Sequence, residues 1–92
     1  MVGYTQTGKR VLLTGVLPKK MGLYWFCDGD TVAVRIANVG WDGMSFFARE
    51  IISGETIPEF EFCDYMWCEA SDKDAEAMRK FHTLVAQASA AV

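Results

Sequence analysis

The sequence predicts an α+β fold, in which an antiparallel β-meander of four to five strands is followed by one C-terminal amphipathic helix packed on it. Residues 1–70 hold short apolar segments separated by turn signals, as in a meander. Residues 71–92 carry apolar side chains at helical spacing. The chain has 92 residues, of which 51% are hydrophobic, which suits one small domain with its own core. We therefore expect a single domain, with the sheet in residues 1–70 and the helix in residues 71–92.

The first strands follow from apolar runs and from the turn between them. Residues 11–17 (VLLTGVL) and 23–27 (LYWFC) each predict a strand. Residues 28–30 (DGD) are a strong turn signal, so we expect a three-residue hairpin loop that leads at once into a strand over residues 31–39. That strand alternates, which predicts one buried face and one face at least partly exposed to water. Its buried face would carry Val32, Val34 and Ile36.

Further turn residues delimit the later elements. A turn over residues 40–43 (GWDG) precedes a strand predicted at 44–49. Residues 50–59 contain Gly and Pro and predict a loop with a brief edge strand. The last strand is predicted at 60–69, with a bend near Cys63 and Asp64.

The C-terminal helix has a clear start and one apolar stripe. Ser71 is a favourable N-cap, and Asp74 three residues later approximates a capping box. A one-sided helix after a meander is expected to pack across one face of the sheet. The apolar stripe consists of Met78, Phe81, Val85, Ala88 and Val92.

Charge is distributed unevenly along the chain. Residues 1–27 carry four basic and no acidic side chains, whereas residues 28–92 carry five basic and twelve acidic ones, so the net charge of −3 hides a bipolar pattern. The start of the chain lacks the apolar core of a signal peptide, and no run approaches membrane-spanning length. Three cysteines without a framework spacing are typical of a reducing compartment. We therefore expect a soluble cytoplasmic protein that does not enter a membrane.

Residues that could carry chemistry are few. Four residues separate Cys63 from Cys68, an odd spacing of five positions that in a continuous strand places the thiols on opposite faces. A structural zinc site would also need Cys27 and the single histidine, His82. Buried apolar thiols and a histidine at the edge of the core are the simpler interpretation. We expect no catalytic residues, no metal and no cofactor. A small metal- or thiol-dependent enzyme that uses His82 and the cysteines is the alternative.

Two charged segments point instead to a binding protein. Two basic pairs bracket the first predicted strand, so they can face one partner, close to aromatic rings. Residues 50–76 hold nine acids against one base, a composition that suits a groove lined by Lys and Arg on another protein. The acidic net charge argues against free DNA binding. The predicted partner-binding residues are Lys9, Arg10, Lys19, Lys20, Tyr24 and Trp41, the last because a tryptophan in a turn is a typical binding hot spot.

Part of the chain resembles small β-meander proteins encoded by phages and prophages. The resemblance covers residues 17–69 and rests on a loose pattern, in which Met21 replaces a frequent second proline and to which the C-terminal helix is an addition. The pattern consists of Pro18-x-x-x-Gly22-x-Tyr24-Trp25, the turn at residues 28–30, the Val32/Val34 strand and Trp67.

In size and acidity the chain is also similar to anti-CRISPR proteins, in particular to inhibitors of the type I-F surveillance complex. The resemblance implies a monomeric, stoichiometric inhibitor that binds Cas subunits in an infected bacterial host and blocks target-DNA recognition. In such a complex the basic N-terminal segment would contact the guide-RNA backbone, and the acidic part would contact lysines that normally receive DNA. A phage structural or assembly adaptor, which would self-associate, is the other alternative.

Overall fold

A five-stranded antiparallel sheet forms the framework of the protein, and one helix packs on it. The computed structural model describes residues 1–90. The predicted fold class, α+β with an antiparallel sheet and one C-terminal helix, is confirmed. The elements are strands β1 (Val2–Tyr4), β2 (Arg10–Leu12), β3 (Gly22–Asp28), β4 (Arg35–Trp41), β5 (Phe46–Glu50) and β6 (Thr56–Pro58), a 3-10 helix (Glu59–Asp64), strand β7 (Tyr65–Glu69) and helix α1 (Asp72–Ala90).

Strand order in the large sheet is β6-β5-β4-β3-β7, and every neighbouring pair is antiparallel. Strands β3 to β6 form a meander, and β6 is the brief edge strand that the sequence predicts. The chain then crosses back through the 3-10 helix, so that β7 lies beside β3 at the opposite edge. Strands β1 and β2 form a separate two-stranded sheet.

Each face of the large sheet carries a buried apolar cluster, because each is partly covered by a different part of the chain. In β3, Trp25 and Cys27 point toward α1 and the small sheet, whereas Tyr24 and Phe26 point to the opposite face, under the 3-10 helix. The next strand does not divide into one buried and one partly exposed face as predicted. Ile36 is buried and Asn38 exposed on the helix side, whereas Ala37 is buried and Arg35 half-buried on the other. The helix-side cluster contains Val11, Leu13, Trp25, Cys27, Val34, Ile36, Ala75 and Met78, and the opposite cluster contains Tyr24, Phe26, Ala37, Val39, Ala48, Ile57, Phe62 and Trp67.

The connection between β3 and β4 is longer than the predicted three-residue loop. Asp28 Oδ1 accepts hydrogen bonds from the backbone N–H groups of Asp30 and Thr31, at 2.9 and 3.0 Å, which closes the predicted turn. The following residues then leave the sheet and pair with the backbone of Tyr4. The Tyr4 N–H donates to the Val32 carbonyl at 2.7 Å, and the Tyr4 carbonyl accepts from the Val34 N–H at 3.1 Å. Strand β4 consequently begins at Arg35, and Val32 is exposed.

The strand predicted at residues 11–17 is mostly absent. Only its first part belongs to β2, and Thr14 forms an isolated bridge with Trp67, with N–H to O distances of 3.0 and 2.8 Å. This bridge covers the outer edge of β7. Strand β1, the partner of β2, was not predicted, because its residues carry no alternating pattern long enough to be recognised.

The last predicted strand is half as long as expected. Residues 59–64 form the 3-10 helix, and β7 begins at Tyr65, directly after the predicted bend. The helical turn directs Phe62 into the core, where its carbonyl accepts a hydrogen bond of 2.9 Å from the indole Nε1 of Trp67. This pairing satisfies a buried donor and fixes the crossing segment against the sheet.

The capping box at the start of α1 is confirmed, but the predicted apolar stripe is buried only in the first half of the helix. The Ser71 hydroxyl accepts from the Asp74 N–H at 3.2 Å, and Asp74 Oδ2 accepts from the Ser71 N–H at 3.0 Å. Met78 is buried and Phe81 half-buried, whereas Val85 and Ala88 are exposed, because the helix continues past the sheet. Val92 lies outside the described residues.

We expect Asp74→Ala to destabilise the protein by about 0.5–2 kcal/mol at pH 7, the usual contribution of a helix-start cap. Partial burial acts to raise the pKa of Asp74, but the N–H and hydroxyl of Ser71 and the ammonium of Lys9 outweigh it and lower the pKa below its ordinary 3.8. A lowered folded-state pKa gives stability that is complete above pH 3.8 and is lost as the pH falls through the folded-state value. Urea unfolding should therefore show that the difference in free energy of unfolding between wild type and variant is smaller at pH 3 than at pH 7. A gap that is independent of pH would contradict this assignment.

Candidate protein-binding surface

The predicted basic residues do not form one surface. Lys9 Nζ lies 3.3 Å from Asp74 Oδ1, above the start of α1, on the helix side of the sheet. Lys20 Nζ lies 2.9 Å from Glu69 Oε1, and Glu69 is directly opposite Tyr24, whose side chain points to the other face. The two basic pairs therefore lie over opposite faces, and in each pair one charge is neutralised by an acid.

The other predicted residues also differ in accessibility. Arg10 and Lys19 are exposed, and neither forms an ion pair with another residue in 1–90. Tyr24 is only 6% exposed, and its hydroxyl donates to the Lys20 carbonyl at 3.1 Å, so its ring offers little surface to a partner. Burial raises the pKa of Tyr24. Lys19, Lys20 and Tyr24 together line a groove of about 440 Å³.

Trp41, in contrast, belongs to an exposed apolar end of the sheet. It lies directly opposite Phe46 across β4 and β5, and the two rings pack edge to face with centroids 4.9 Å apart. Met44, in the turn between these strands, is 90% exposed, and Phe60, at the start of the 3-10 helix, is 80% exposed. Glu59 Oε1 accepts a hydrogen bond of 3.1 Å from the Phe46 N–H, which brings the 3-10 helix to the same end.

We call this end the hairpin-end surface and define it by Trp41, Met44, Phe46 and Phe60. Side-chain hydrogen bonds close its turn: Asp42 Oδ1 accepts from the N–H groups of Ser45 at 2.9 Å and Met44 at 2.8 Å, and these bonds lower the pKa of Asp42. A preorganised turn loses little conformational entropy when a partner covers it.

Acids flank the hairpin-end surface. Asp42 lies in its turn, and Glu59 and Glu61 lie in the adjacent 3-10 helix. Elsewhere in the acidic stretch of residues 50–76 several carboxylates are already used: Glu50 is buried, and Glu55, Glu69 and Asp74 pair with Arg35, Lys20 and Lys9. The acidic charge left for a partner is thus concentrated near the aromatic end and along α1.

Sequence reasoning identified Trp41 but missed Met44, Phe46 and Phe60. Within a continuous strand, Phe60 and Phe62 would share one face, and both would read as core residues. The 3-10 helix separates them, with Phe62 buried and Phe60 exposed. The usable signal was Pro58 just ahead of this segment, since proline is rare inside a strand.

Cys27 and Cys68 lie on the neighbouring strands β3 and β7 and both belong to the helix-side cluster, whereas Cys63 and His82 are exposed on other elements. His82 is exposed on α1, Cys63 is exposed in the 3-10 helix, and Cys27 is buried in β3, so the predicted opposite-face arrangement of Cys63 and Cys68 in one strand does not arise. Burial raises the pKa of Cys27 and of half-buried Cys68, which disfavours the nucleophilic thiolate. Within residues 1–90, no three His, Cys, Asp or Glu side chains are grouped so that they could hold a metal ion.

Comparison with protein-family models, with curated proteins and with solved structures gives no match to this chain. In the part of the chain that the structure describes, no helix combines the length and the apolarity needed to cross a bilayer.

Proposed function

We propose that this protein acts by stoichiometric binding and that its hairpin-end surface docks onto a basic surface of a partner protein. The observation that carries the proposal is the apolar group at one end of the sheet, in which Trp41, Met44 and Phe60 are exposed and half-buried Phe46 packs against Trp41. Large aromatic side chains at the centre of an interface supply most of its binding energy. The surrounding acids favour a partner rich in Lys and Arg and increase the rate of association.

We further propose that the partner is the type I-F CRISPR surveillance complex, bound in the cytoplasm of an infected bacterium. The choice of partner comes from the sequence resemblance to anti-CRISPR inhibitors. The charge pattern is compatible with it, because Asp42, Glu59 and Glu61 would occupy lysines on Cas subunits that otherwise receive target DNA. Lys19, which lines the groove beside Tyr24 and Trp67 and forms no ion pair within residues 1–90, would contact the guide-RNA backbone.

We expect Trp41→Ala to weaken binding to the purified type I-F complex by about 30-fold or more, the usual effect at a hot spot. Surface plasmon resonance with the immobilised complex measures this directly. Leu12→Ala is the matched control: Leu12 is 70% exposed but lies in β2, away from the hairpin-end surface, and its removal should leave affinity unchanged.

Two results would contradict the proposal at different levels. Absence of binding by the wild-type protein would exclude the type I-F complex as partner while leaving the surface to be tested against others. Binding that Trp41→Ala and Phe60→Ala weaken no more than Leu12→Ala does would exclude the hairpin-end surface itself. Glu59→Lys should slow association and reduce its dependence on salt, since the acid lies at the rim.

A further inference from the structure

A polar groove opens on the helix side of the sheet, on the face opposite to the side chains of the hairpin-end surface. It has a volume of about 510 Å³ and lies between α1 and the neighbouring strands β4 and β5. Asn38 is directly opposite Arg49, and Gly40 is directly opposite Phe47, so these four residues share the helix-side face. Arg79 of α1, next to buried Met78, completes the groove from above.

The two arginines of this groove form no ion pair within residues 1–90. The ion pairs within residues 1–90 involve Lys9, Lys20 and Arg35, and neither Arg49 nor Arg79 takes part. Glu50 is the one acid that lines the groove, but its carboxylate is directed into the turn that follows β5. There its Oε2 accepts hydrogen bonds from the Ile52 N–H and from both the N–H and the hydroxyl of Ser53. Two guanidinium groups from different elements thus face one space, an arrangement suited to an oxyanion with several acceptor oxygens.

The floor of the groove is aromatic. A Cβ atom on Gly40 would lie 2.7 Å from Cζ of Phe47, which shows that the phenyl ring lies against the glycine backbone and that this position has no room for a side chain. Phe47 is half-buried and lines the groove, so part of its ring is available for stacking. The exposed Asn38 amide beside it offers both donors and an acceptor.

We infer that this groove binds a mononucleotide. The phosphate is held between Arg49 and Arg79, the base stacks on Phe47, and the Asn38 amide bonds to the edge of the base. The volume lies in the range of small-molecule sites. A longer nucleic acid is disfavoured, because the groove continues past Arg79 toward Asp72 and Glu76, whose charges would repel a second phosphate. The inference is independent of the proposed function, since it concerns other residues on another face.

Isothermal titration of the full chain with AMP, adenosine and inorganic phosphate tests the inference. AMP is expected to bind at least about 10-fold more tightly than either of its parts, since phosphate and base contact different residues. Arg49→Gln and Arg79→Gln should each weaken AMP binding by about 10-fold or more. Lys80→Gln is the matched control, because it makes the same charge change on the same helix at a residue that does not line the groove, and it should have no effect. Phe47→Leu should weaken the binding of AMP and leave that of phosphate unchanged.

Several outcomes would overturn the inference. They are no AMP binding at millimolar concentration, equal affinity for AMP and adenosine, or equal affinity for AMP and phosphate. An effect of Lys80→Gln as large as that of Arg49→Gln would show that general charge, and not the groove, attracts the ligand. If a short single-stranded oligonucleotide binds more tightly than AMP, the ligand of the groove is a polymer and the mononucleotide inference is wrong. Arg49 and Arg79 are exposed, so their variants are expected to fold, and circular dichroism checks this.

Discussion

Trp67→Ala is expected to lower the free energy of unfolding by about 3–5 kcal/mol, the cost of removing a large buried aromatic side chain. Trp67 is 1% exposed, and its ring lies within 4.9 to 6.4 Å, centroid to centroid, of the rings of Phe62, Phe26, Tyr65 and Tyr24. Its indole N–H also holds the 3-10 helix through the Phe62 carbonyl. The substitution therefore leaves a cavity and removes one of the two hydrogen bonds to the Phe62 carbonyl, which also accepts from the Tyr65 N–H.

Equilibrium urea unfolding followed by circular dichroism measures this effect. Small domains are stable by only about 5–15 kcal/mol, so the alanine variant can be largely unfolded. Trp67→Phe keeps an aromatic ring and loses the hydrogen bond, and we expect it to fold with a loss of about 1–3 kcal/mol. Trp41→Ala, at an exposed tryptophan, should cost less than about 1 kcal/mol. Equal losses for the alanine variants of Trp41 and Trp67 would contradict the buried role of Trp67.

Glu50→Ala is expected to destabilise the protein by about 2–4 kcal/mol, although the residue is a charged side chain at the end of a strand. Glu50 is 4% exposed, and its carboxylate accepts from the Ile52 N–H and the Ser53 hydroxyl at 2.8 Å each, and also from the Ser53 N–H. Hydrogen bonds to a charged acceptor are the stronger kind, and their removal leaves two turn amides without a partner.

Thermal and urea unfolding of three variants separates the causes. Glu50→Gln retains a carbonyl acceptor without the charge and should lose less than Glu50→Ala. Ser53→Ala removes only the hydroxyl and should cost about 0.5–1.5 kcal/mol. Glu55→Ala is the matched control in the same turn, because its exposed carboxylate pairs only with partly exposed Arg35 at 3.5 Å. If Glu55→Ala were as damaging as Glu50→Ala, the hydrogen-bonded turn would not be the cause.

The elements that were predicted correctly depend on residues that are close to one another in the sequence. The capping box of Ser71 and Asp74 and the turn after Asp28 each involve residues two to three positions apart, and both form as expected. The errors arise where contacts with residues far away in the sequence override the local pattern. Tyr4 pairs with Val32 and Val34 and shortens β4, and Trp67 holds the 3-10 helix that replaces half of the last strand.

The local sequence was enough to predict only one residue of the candidate site. The position of Trp41 in a predicted Gly-flanked turn indicated an exposed aromatic side chain. Trp41 is exposed, but the predicted turn position is wrong, because Trp41 is the last residue of β4 and pairs with Phe46. The neighbours of Trp41 were missed, because their exposure depends on the crossing segment. Arg49 and Arg79 are brought to one groove only by the packing of α1 on the sheet, which no spacing in the sequence encodes.

The return of β7 to the side of β3 has a consequence for the order in which the protein is made. Strand β7 follows β3 along the chain by about 40 residues, so it leaves the ribosome roughly 2–8 s later at 5–20 residues per second. During that interval the edge formed by Tyr24, Trp25 and Phe26 has unpaired backbone groups. The nascent chain is then exposed to association with other chains or to chaperone binding, and this exposure ends when β7 is added.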